Sequence, residues 1–479
     1  MPGQADSSHQ PLLEPSSQSR SYGTANDETL RTDLGHGTTV VQFSPGDPED
    51  PRNWPRWKKW LIIGPIVFID LSVSWGASGF SPASKQFADE SGLSSGWGAL
   101  GLSAYILGLA FGPMTLAPLS EYYGRSPVYI YAYFIFLCLL AISAVAPSLS
   151  VFLPVRVLSG YSASVTIANF GGTIADLYHP HDTGPAMSLY MWAATCGSPT
   201  GFFLMSFVAH HRGWRDVFWA LLGICGGLWT IMTASLLYCG ETRHSILLAR
   251  RAEHERIENG SETNVTIPED LKKRTAKELF SVALARPFKF LGTEAIIVCA
   301  ALYNGYLYGL SFMFNTAFAL VFGKGHGFNK IGVGICFLGI VCGISLGPIV
   351  NYWQEKYYQK RVHASGGKNV PEARVGPIPK LAAIYSYKVY SASALAGIGL
   401  VRNLFGAVFP LFAHSLFTKL GSQWAGTLLA GLAVILVPIP FVWSRYGRYL
   451  RERSPWAREH MDDLDSREDE QPLNLDDTA

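Results

Sequence analysis

The chain is short of charge. Only 15% of its 479 residues are Asp, Glu, Lys or Arg, against about 25% in an ordinary soluble domain. That deficit excludes a simple water-soluble globule. It also lacks any Cys-x-x-Cys pair. All seven cysteines, Cys138, Cys196, Cys225, Cys239, Cys299, Cys336 and Cys342, fall inside apolar stretches. They read as small buried hydrophobes, which argues against a disulfide or thiolate-metal framework. No glycine-rich phosphate loop is present, so ATP-driven pumping is not indicated. No catalytic triad or metal-ligand spacing stands out either. No enzyme activity, cofactor, metal or nucleic-acid partner is therefore expected. The N-terminus lacks the charged-then-apolar start and cleavage site of a secretory signal. The first membrane helix would then serve as an uncleaved insertion signal.

What the chain has in abundance is long apolar runs. A membrane-spanning helix needs roughly 20 mostly apolar residues. Ten stretches qualify: 60–80, 98–119, 128–147, 151–174, 186–208, 217–239, 294–322, 330–351, 394–417 and 424–444. Gly and Pro interrupt several, which membrane helices tolerate. The expected fold class is an all-α polytopic membrane protein. Its N-terminal transmembrane half (60–240) has six spans and its C-terminal half (293–445) about four. Residues 1–59 are Ser-, Pro-, Gly- and Asp-rich with little to bury, and read as a disordered cytoplasmic tail. Residues 241–292 read as a cytoplasmic linker with an amphipathic helix near 270–290. Residues 446–479 read as a second polar tail.

The net charge of +2 hides a segregation. With the N-terminus inside, the inner flanks and loops hold 26 Lys and Arg. The outer loops hold only Lys85, Arg212, Arg215, Lys324, Lys330 and Lys419. Positive charge favours the cytoplasmic side, so both termini are expected inside, consistent with an even number of spans. Two glycosylation sequons, Asn259-Gly-Ser261 and Asn264-Val-Thr266, then fall on the wrong side and read as chance matches. A faint repeat supports two related halves. Phe111-Gly112-Pro113 and Leu346-Gly347-Pro348 each precede a Tyr-rich polar turn.

Several short motifs carry more. "APLSEYYGRSP" (117–127) resembles the loop between helices two and three of the major facilitator superfamily, with Ala117 in place of its first Gly. "RVLSGYSAS" (156–164) resembles that family's helix-four motif, and "GWRDVFWAL" (213–221) its entry to helix six. "GDPEDPRNWPRWKKW" (46–60) is similar to the start of fungal multidrug and polyamine proton antiporters of the twelve-span drug:proton group. "CGSPTGFFLMS" (196–206) is similar to the helix-five antiporter motif. Its Gly197, Pro199 and Gly201 keep the helix-bending character. Met205 and Ser206 stand where small glycines are expected. "PEARVGPIP" (371–379) resembles the entrance to helix nine, yet runs almost directly into "SYKVYSASALAG" (386–397), the approach to helix eleven. The apolar bodies of helices nine and ten are missing.

The resemblance implies the major facilitator fold and proton-coupled efflux by alternating access. It implies drugs, toxins, polyamines or small metabolites as substrates. It implies a monomer, with protons and the lipid bilayer as its other partners. The cell membrane is the expected location, with the vacuolar membrane as the alternative. Two rival readings stay open: a non-transporting or degenerate membrane sensor, and a truncated version of a twelve-span carrier.

Candidate site residues follow. Leu119, Glu121, Gly124, Arg125 and Asp176 form an expected cytoplasmic gate, in which Glu121 and Arg125 can pair with each other or with Asp176. A solvated turn that merely obeys topology would look the same. Asp70 lies at the centre of the first span. A carboxylate there is costly, and protonation would remove the cost. It is a candidate for proton coupling or for holding a cationic substrate. Arg156 cannot shed its proton and needs a partner. The resemblance assigns it to proton transfer, as a neighbour that tunes a carboxylate. Asn169, Tyr303, Asn304 and Arg402 are expected to line a substrate cavity, with aromatic stacking and cation–π contacts from Tyr303, Tyr306 and Tyr308. Plain packing, or an Arg402 snorkelling to the interface, are the bland alternatives. His179 and His181 read as exposed loop residues.

Overall fold

A computed structural model describes residues 46–178, 182–258, 276–350 and 391–438, with short pieces at 32–33, 38–40, 43–44, 264–266, 352–353 and 356. The helices are α1 (Arg56–Ser78), α2 (Ser84–Glu90), α3 (Leu100–Tyr123), α4 (Arg125–Val145), α5 (Leu149–Ala163), α6 (Val165–Leu177) and α7 (Gly184–His211). They continue with α8 (Trp214–Cys239), α9 (His244–Glu258), α10 (Ala276–Thr293), α11 (Ala295–Phe318), α12 (Lys330–Ser345) and α13 (Ser391–Leu436). Among the described residues, three strands of two or three residues are the exception: β1 (Thr32–Asp33), β2 (Thr38–Val40) and β3 (Asn264–Thr266).

Among the described residues, eight helical stretches are long and apolar enough to cross a membrane. Two of the ten expected spans need separate comment. Helix α7 is 28 residues long, but its Gly, Ser, Thr and Pro residues dilute its hydropathy. The last two expected spans are joined in α13, whose Gly421 has φ 77° and breaks the helix. Tyr306 shows what happens there. Its ring meets Phe409 edge-on at 6.1 Å, and its hydroxyl donates to the Leu429 carbonyl. In a straight helix those two residues would lie about 30 Å apart. The chain therefore reverses at Gly421, where a single glycine in a positive-φ conformation is the whole connection.

The fourth expected span is likewise two helices. At Ser164 the backbone leaves the helical path, with ψ −3°, and the Ser164 hydroxyl donates to the Tyr161 carbonyl at 2.8 Å. The break lies against α3, where Gly112 leaves room for Ser164 and the Tyr161 carbonyl. Gly108 on α3 and Gly160 on α5 give the same kind of close approach. Small residues four apart let helix backbones touch where no hydrophobic force drives them together.

One large apolar core runs through α1–α8. The two halves meet where α7 packs on α12 and α13 packs on α3. Phe202 stacks on Phe337 at 4.2 Å in the first contact. Ala110, Met114 and Leu400 cluster in the second. Asn403 donates to the Leu109 carbonyl across it at 2.9 Å.

The expected tail does not stay free along its whole length. Residues 46–54 fold into a turn around Pro51–Asn53. Asp50 caps it by accepting from Arg52 N at 2.9 Å. Trp54 is buried, donates to the Pro48 carbonyl at 3.1 Å and carries the Lys58 ammonium over its ring. Farther upstream, β2 pairs antiparallel with β1 and parallel with β3 of the central linker. The rest of residues 1–45 and the tail at 446–479 lie outside the described residues. So do the "PEARVGPIP" stretch and the join near 380–386.

Candidate functional site

The inner ends of α3, α4, α6 and α8 converge on one charge cluster. Gly124 opens it. Its φ of 105° and ψ of 162° belong to a region essentially reserved for glycine. The Gly124 turn aims Arg125 inward, onto α6. Arg125 Nε donates to Asp176 Oδ2 at 3.2 Å, and its Nη1 to Ser120 Oγ at 2.6 Å. Ser120 Oγ in turn donates to Asn169 Oδ1 at 2.7 Å. Gly172 leaves the space that the guanidinium fills. Asp176 also accepts from Arg243 Nη1 at 3.3 Å, with His244 Nδ1 at 3.8 Å. Two arginines, both outreaching into a largely dry site, hold one carboxylate, which is the strong form of ion pair.

The expected pairing of Glu121 with Arg125 does not occur. The partners of Arg125 are Asp176, Ser120 and Glu241, and Glu121 is half-buried one turn earlier. The carboxylate that the turn uses comes from the end of α8. Glu241 Oε1 accepts from Arg125 N at 2.9 Å and Oε2 from Ser126 N at 3.3 Å. It thereby caps the N-terminus of α4, where a negative charge also suits the helix dipole. A Cβ on Gly124 would collide with that carboxylate. Leu119 packs against the apolar core beneath. Asn169 accepts from Ser120 at this cluster, while its Nδ2 has no hydrogen-bond partner among the described residues.

Asp70 sits in the middle of α1, 2% exposed. Thr166 Oγ1, just past the Ser164 break, donates to Asp70 Oδ1 at 2.7 Å. The helix break thus sets the one side-chain hydroxyl that meets the carboxylate. Arg402 comes from the other half. Its guanidinium lies over the Tyr308 ring at 4.6 Å and reaches Asn403 Oδ1 at 3.3 Å. Phe170 and Tyr190 stack at 4.3 Å nearby in the N-terminal half. Tyr303 is half-buried, and Asn304 spends its amide on the Ala300 carbonyl at 2.8 Å, one turn back on its own helix.

Arg156 makes contacts that the sequence does not announce. It is fully buried, yet pairs with no carboxylate among the described residues. Its Nε donates to the Gly101 carbonyl at 3.0 Å and its Nη2 to the Gly76 carbonyl at 2.8 Å. The rings of Tyr105, Phe218 and Phe80 surround it at 4.6, 5.2 and 5.8 Å. Cation–π contacts and two carbonyls offset part of the cost of burying the charge, while Nη1 has no hydrogen-bond partner among the described residues. Arg156 ties α5 to α3 and α1, and does not touch Asp70.

Helix α7 packs closely against α1 through its glycines. A Cβ on Gly197 would lie 2.5 Å from Ser74 Cβ, and one on Gly201 2.5 Å from Ser78 Oγ. Pro199 sits between them inside the helix. The two departures from the motif have counterparts across the contact. Met205 packs against Gly79 of the α1 C-terminus, where a Cβ would meet Met205 Cγ at 2.8 Å. Ser206 packs against Gly334 of α12. Each of these two larger residues faces a glycine on the neighbouring element.

Glu241, Arg243, Ser120 and Thr166 escaped the sequence reading. Glu241, Arg243 and Thr166 meet Arg125, Asp176 and Asp70 across 116, 67 and 96 positions, and Ser120, though five residues from Arg125, carries no local signal of that bond. His179 and His181 lie outside the described residues.

With this geometry in place, comparison with known proteins is direct. Residues 66–364 match the family model described as Major Facilitator Superfamily. An efflux pump of Fusarium oxysporum is 30% identical over 473 residues, covering 89% of this chain and 79% of that protein. A multidrug transporter of Candida albicans is 31% identical, covering 87% of this chain and 76% of its own length. Among solved structures, a peptide transporter bound to alafosfalin aligns over 84% of this chain and 97% of its own, with TM-score 0.53 at 12% identity. That last likeness concerns the fold alone. The helical architecture, the paired halves and these matches together establish that the chain is a multi-pass membrane transporter belonging to the Major Facilitator Superfamily.

Proposed function

We propose that the protein is a proton-coupled efflux carrier for small organic molecules, working by alternating access between its two halves. The observation that carries the reading is Asp70. It is a buried carboxylate at membrane depth whose side-chain partner is one neutral hydroxyl, that of Thr166. A carboxylate held by a neutral donor can change charge state without breaking an ion pair. An intramembrane acid of this kind is a functional site by default. Arg402 biases it from the opposite half, so its influence on Asp70 changes as the halves rock. That gives proton binding a way to favour one orientation.

Arg125, Asp176, Arg243 and Glu241 act as the inner gate. They fasten the α3–α4 turn to the ends of α6 and α8, and their release frees the inner face. Leu119 and Gly124 shape the turn. Gly197, Pro199 and Gly201 let α7 bend against α1 during the movement. Tyr303, Tyr308, Phe170 and Tyr190 offer flat surfaces to a substrate between the halves. Drugs, toxins, polyamines and small metabolites fit this class, and the names of the relatives, efflux pump and multidrug transporter, agree with it. Those names do not favour a non-transporting sensor. The working unit is a monomer in the cell membrane.

The test is reconstitution into vesicles with an imposed proton gradient and a panel of fluorescent organic cations and anions. The expected result is uphill flux that collapses with the gradient. Asp70→Asn should abolish gradient dependence. Thr166→Val should keep flux but move its pH profile. Gradient-driven flux in Asp70→Asn equal to that of the parent protein overturns the coupling role.

A further inference from the structure

Among the described residues, the segment before the first span and the central linker make contact at four places, two of them through His244, which also reaches Asp176. First, Thr38–Val40 pair with Asn264–Thr266 in a parallel ladder. Second, the Phe43 ring meets the His244 ring edge-on at 5.8 Å. Third, Asp47, buried, accepts from Arg251 Nη1 at 2.6 Å, with Glu49 at 3.6 Å from the same nitrogen. Fourth, Asp50 meets His244 Nε2 at 3.0 Å. The segment is stiffened from within. Asn53 donates to the Asp47 carbonyl at 3.0 Å, and Lys59 to the Arg52 carbonyl at 2.7 Å.

The linker side is equally anchored. Ile246, Leu248 and Ala252 of α9 are buried. Arg243 and His244, which begin α9, both reach Asp176. From the tail side, Arg52 Nη2 reaches the carbonyl of Ala175 at 3.4 Å, one residue before Asp176. Asp176 is thus approached by Arg125 from the membrane side and by the tail–linker assembly from the cytoplasmic side.

We propose that residues 46–54 and helix α9 form a clasp that positions Asp176 for Arg125, making the N-terminal segment and the linker a working part of the gate. This inference rests on the reading of Arg125–Asp176 as the gate. The clasp acts through position: Asp47 and Arg251 touch neither Arg125 nor Asp176. Their pairing keeps α9 seated, α9 holds Arg243 and His244, and those two hold Asp176 in register. Breaking the outermost joint should therefore loosen a turn it never touches. Residue types fit the task. Arg251 can grip two acids of the tail at once, and Asp50 serves both as turn cap and as His244 partner.

The test is hydrogen–deuterium exchange on the full-length protein in lipid nanodiscs, read at peptides covering 118–128 and 170–178. Four variants are compared: Asp47→Asn, Arg251→Gln, the charge exchange Asp47→Arg with Arg251→Asp, and Asp176→Asn as the direct break of the gate. The expected result is several-fold faster exchange at both gate peptides in the first two variants. The charge exchange should return it to the parent rate, which a loss of stability through packing would not. Faster exchange confined to 46–54 and 244–256, with the gate peptides unchanged, overturns the clasp. If Asp47→Asn does not fold, Arg251→Gln carries the same comparison, since Arg251 lies on the helix surface. If Asp176→Asn itself leaves 118–128 unchanged, the gate reading fails instead, and the two failures are told apart.

Discussion

Gly124→Ala probes the inner cluster at its most constrained point. Two separate penalties apply. The backbone conformation, φ 105° and ψ 162°, costs a non-glycine residue about 1–3 kcal/mol. The new methyl also collides with the Glu241 carboxylate and must push it off the α4 N-terminus. There it accepts from Arg125 N and Ser126 N at 2.9 and 3.3 Å, and losing a helix cap costs about 0.5–2 kcal/mol. Together the change should weaken the closed turn by about 2–4 kcal/mol. The assay is thermal unfolding of purified protein in one detergent, for Gly124→Ala, Glu241→Ala and the double variant. Gly124→Ala should melt well below the parent. Because its methyl already displaces Glu241, the double variant should melt little below Gly124→Ala alone. The expected coupling is about 1–2 kcal/mol, within the range for residues in contact. Penalties that add in full, or a Gly124→Ala melt equal to the parent's, would refute the argument that this glycine exists to admit Glu241.

Three further outcomes are expected. Asp176→Asn leaves Arg125, whose side chain is 5% exposed, without its counter-charge; breaking such a buried pair costs about 3–5 kcal/mol, and melts together with flux assays should show a less stable protein with impaired turnover. Arg156→Met removes the cross-link to the Gly101 and Gly76 carbonyls, so the yield of folded protein should fall, while any protein that does fold keeps gradient-dependent flux. Loss of coupling in well-folded Arg156→Met would restore the proton-transfer role that the sequence suggested. Gly334→Val should clash with Ser206 and lower the folded fraction on size-exclusion chromatography, and Ser206→Gly on that background should recover it.

The sequence was legible where a property is local. Span positions follow from uninterrupted apolar length, and the structure places helices at them. The "SEYYGRSP" turn announced itself because charge between two apolar runs has few explanations, and Arg125 with Asp176 came out together. Asp70 was conspicuous for the same reason. What failed was facing. A helix apolar on every side has no polar face to show which way it turns, so nothing local announced that Asn169 accepts from Ser120 beside Arg125. Backbone carbonyls carry no sequence signature either, so the Gly101 and Gly76 acceptors of Arg156 were not foreseen. Glu241 was invisible because it meets Arg125 across 116 positions of chain. The start of the tail was misjudged for a compositional reason. "GDPEDPRNW" is polar and Pro-rich, yet its order comes from its own turn bonds and from charges on α9, and apolar content does not measure those.

The pairing of bulky with bare residues along α7 bears on how such carriers can diverge. Met205 with Gly79 and Ser206 with Gly334 are couples in which one member is bulky and the other bare. Swapping which partner is bare leaves the distance between helices nearly untouched, whereas changing either member alone does not. Lineages can therefore drift from one arrangement to the other only through paired steps, or through an intermediate with glycine on both sides. A glycine pattern tallied along one helix will then misjudge kinship, since the inherited quantity is the combined volume at each crossing point.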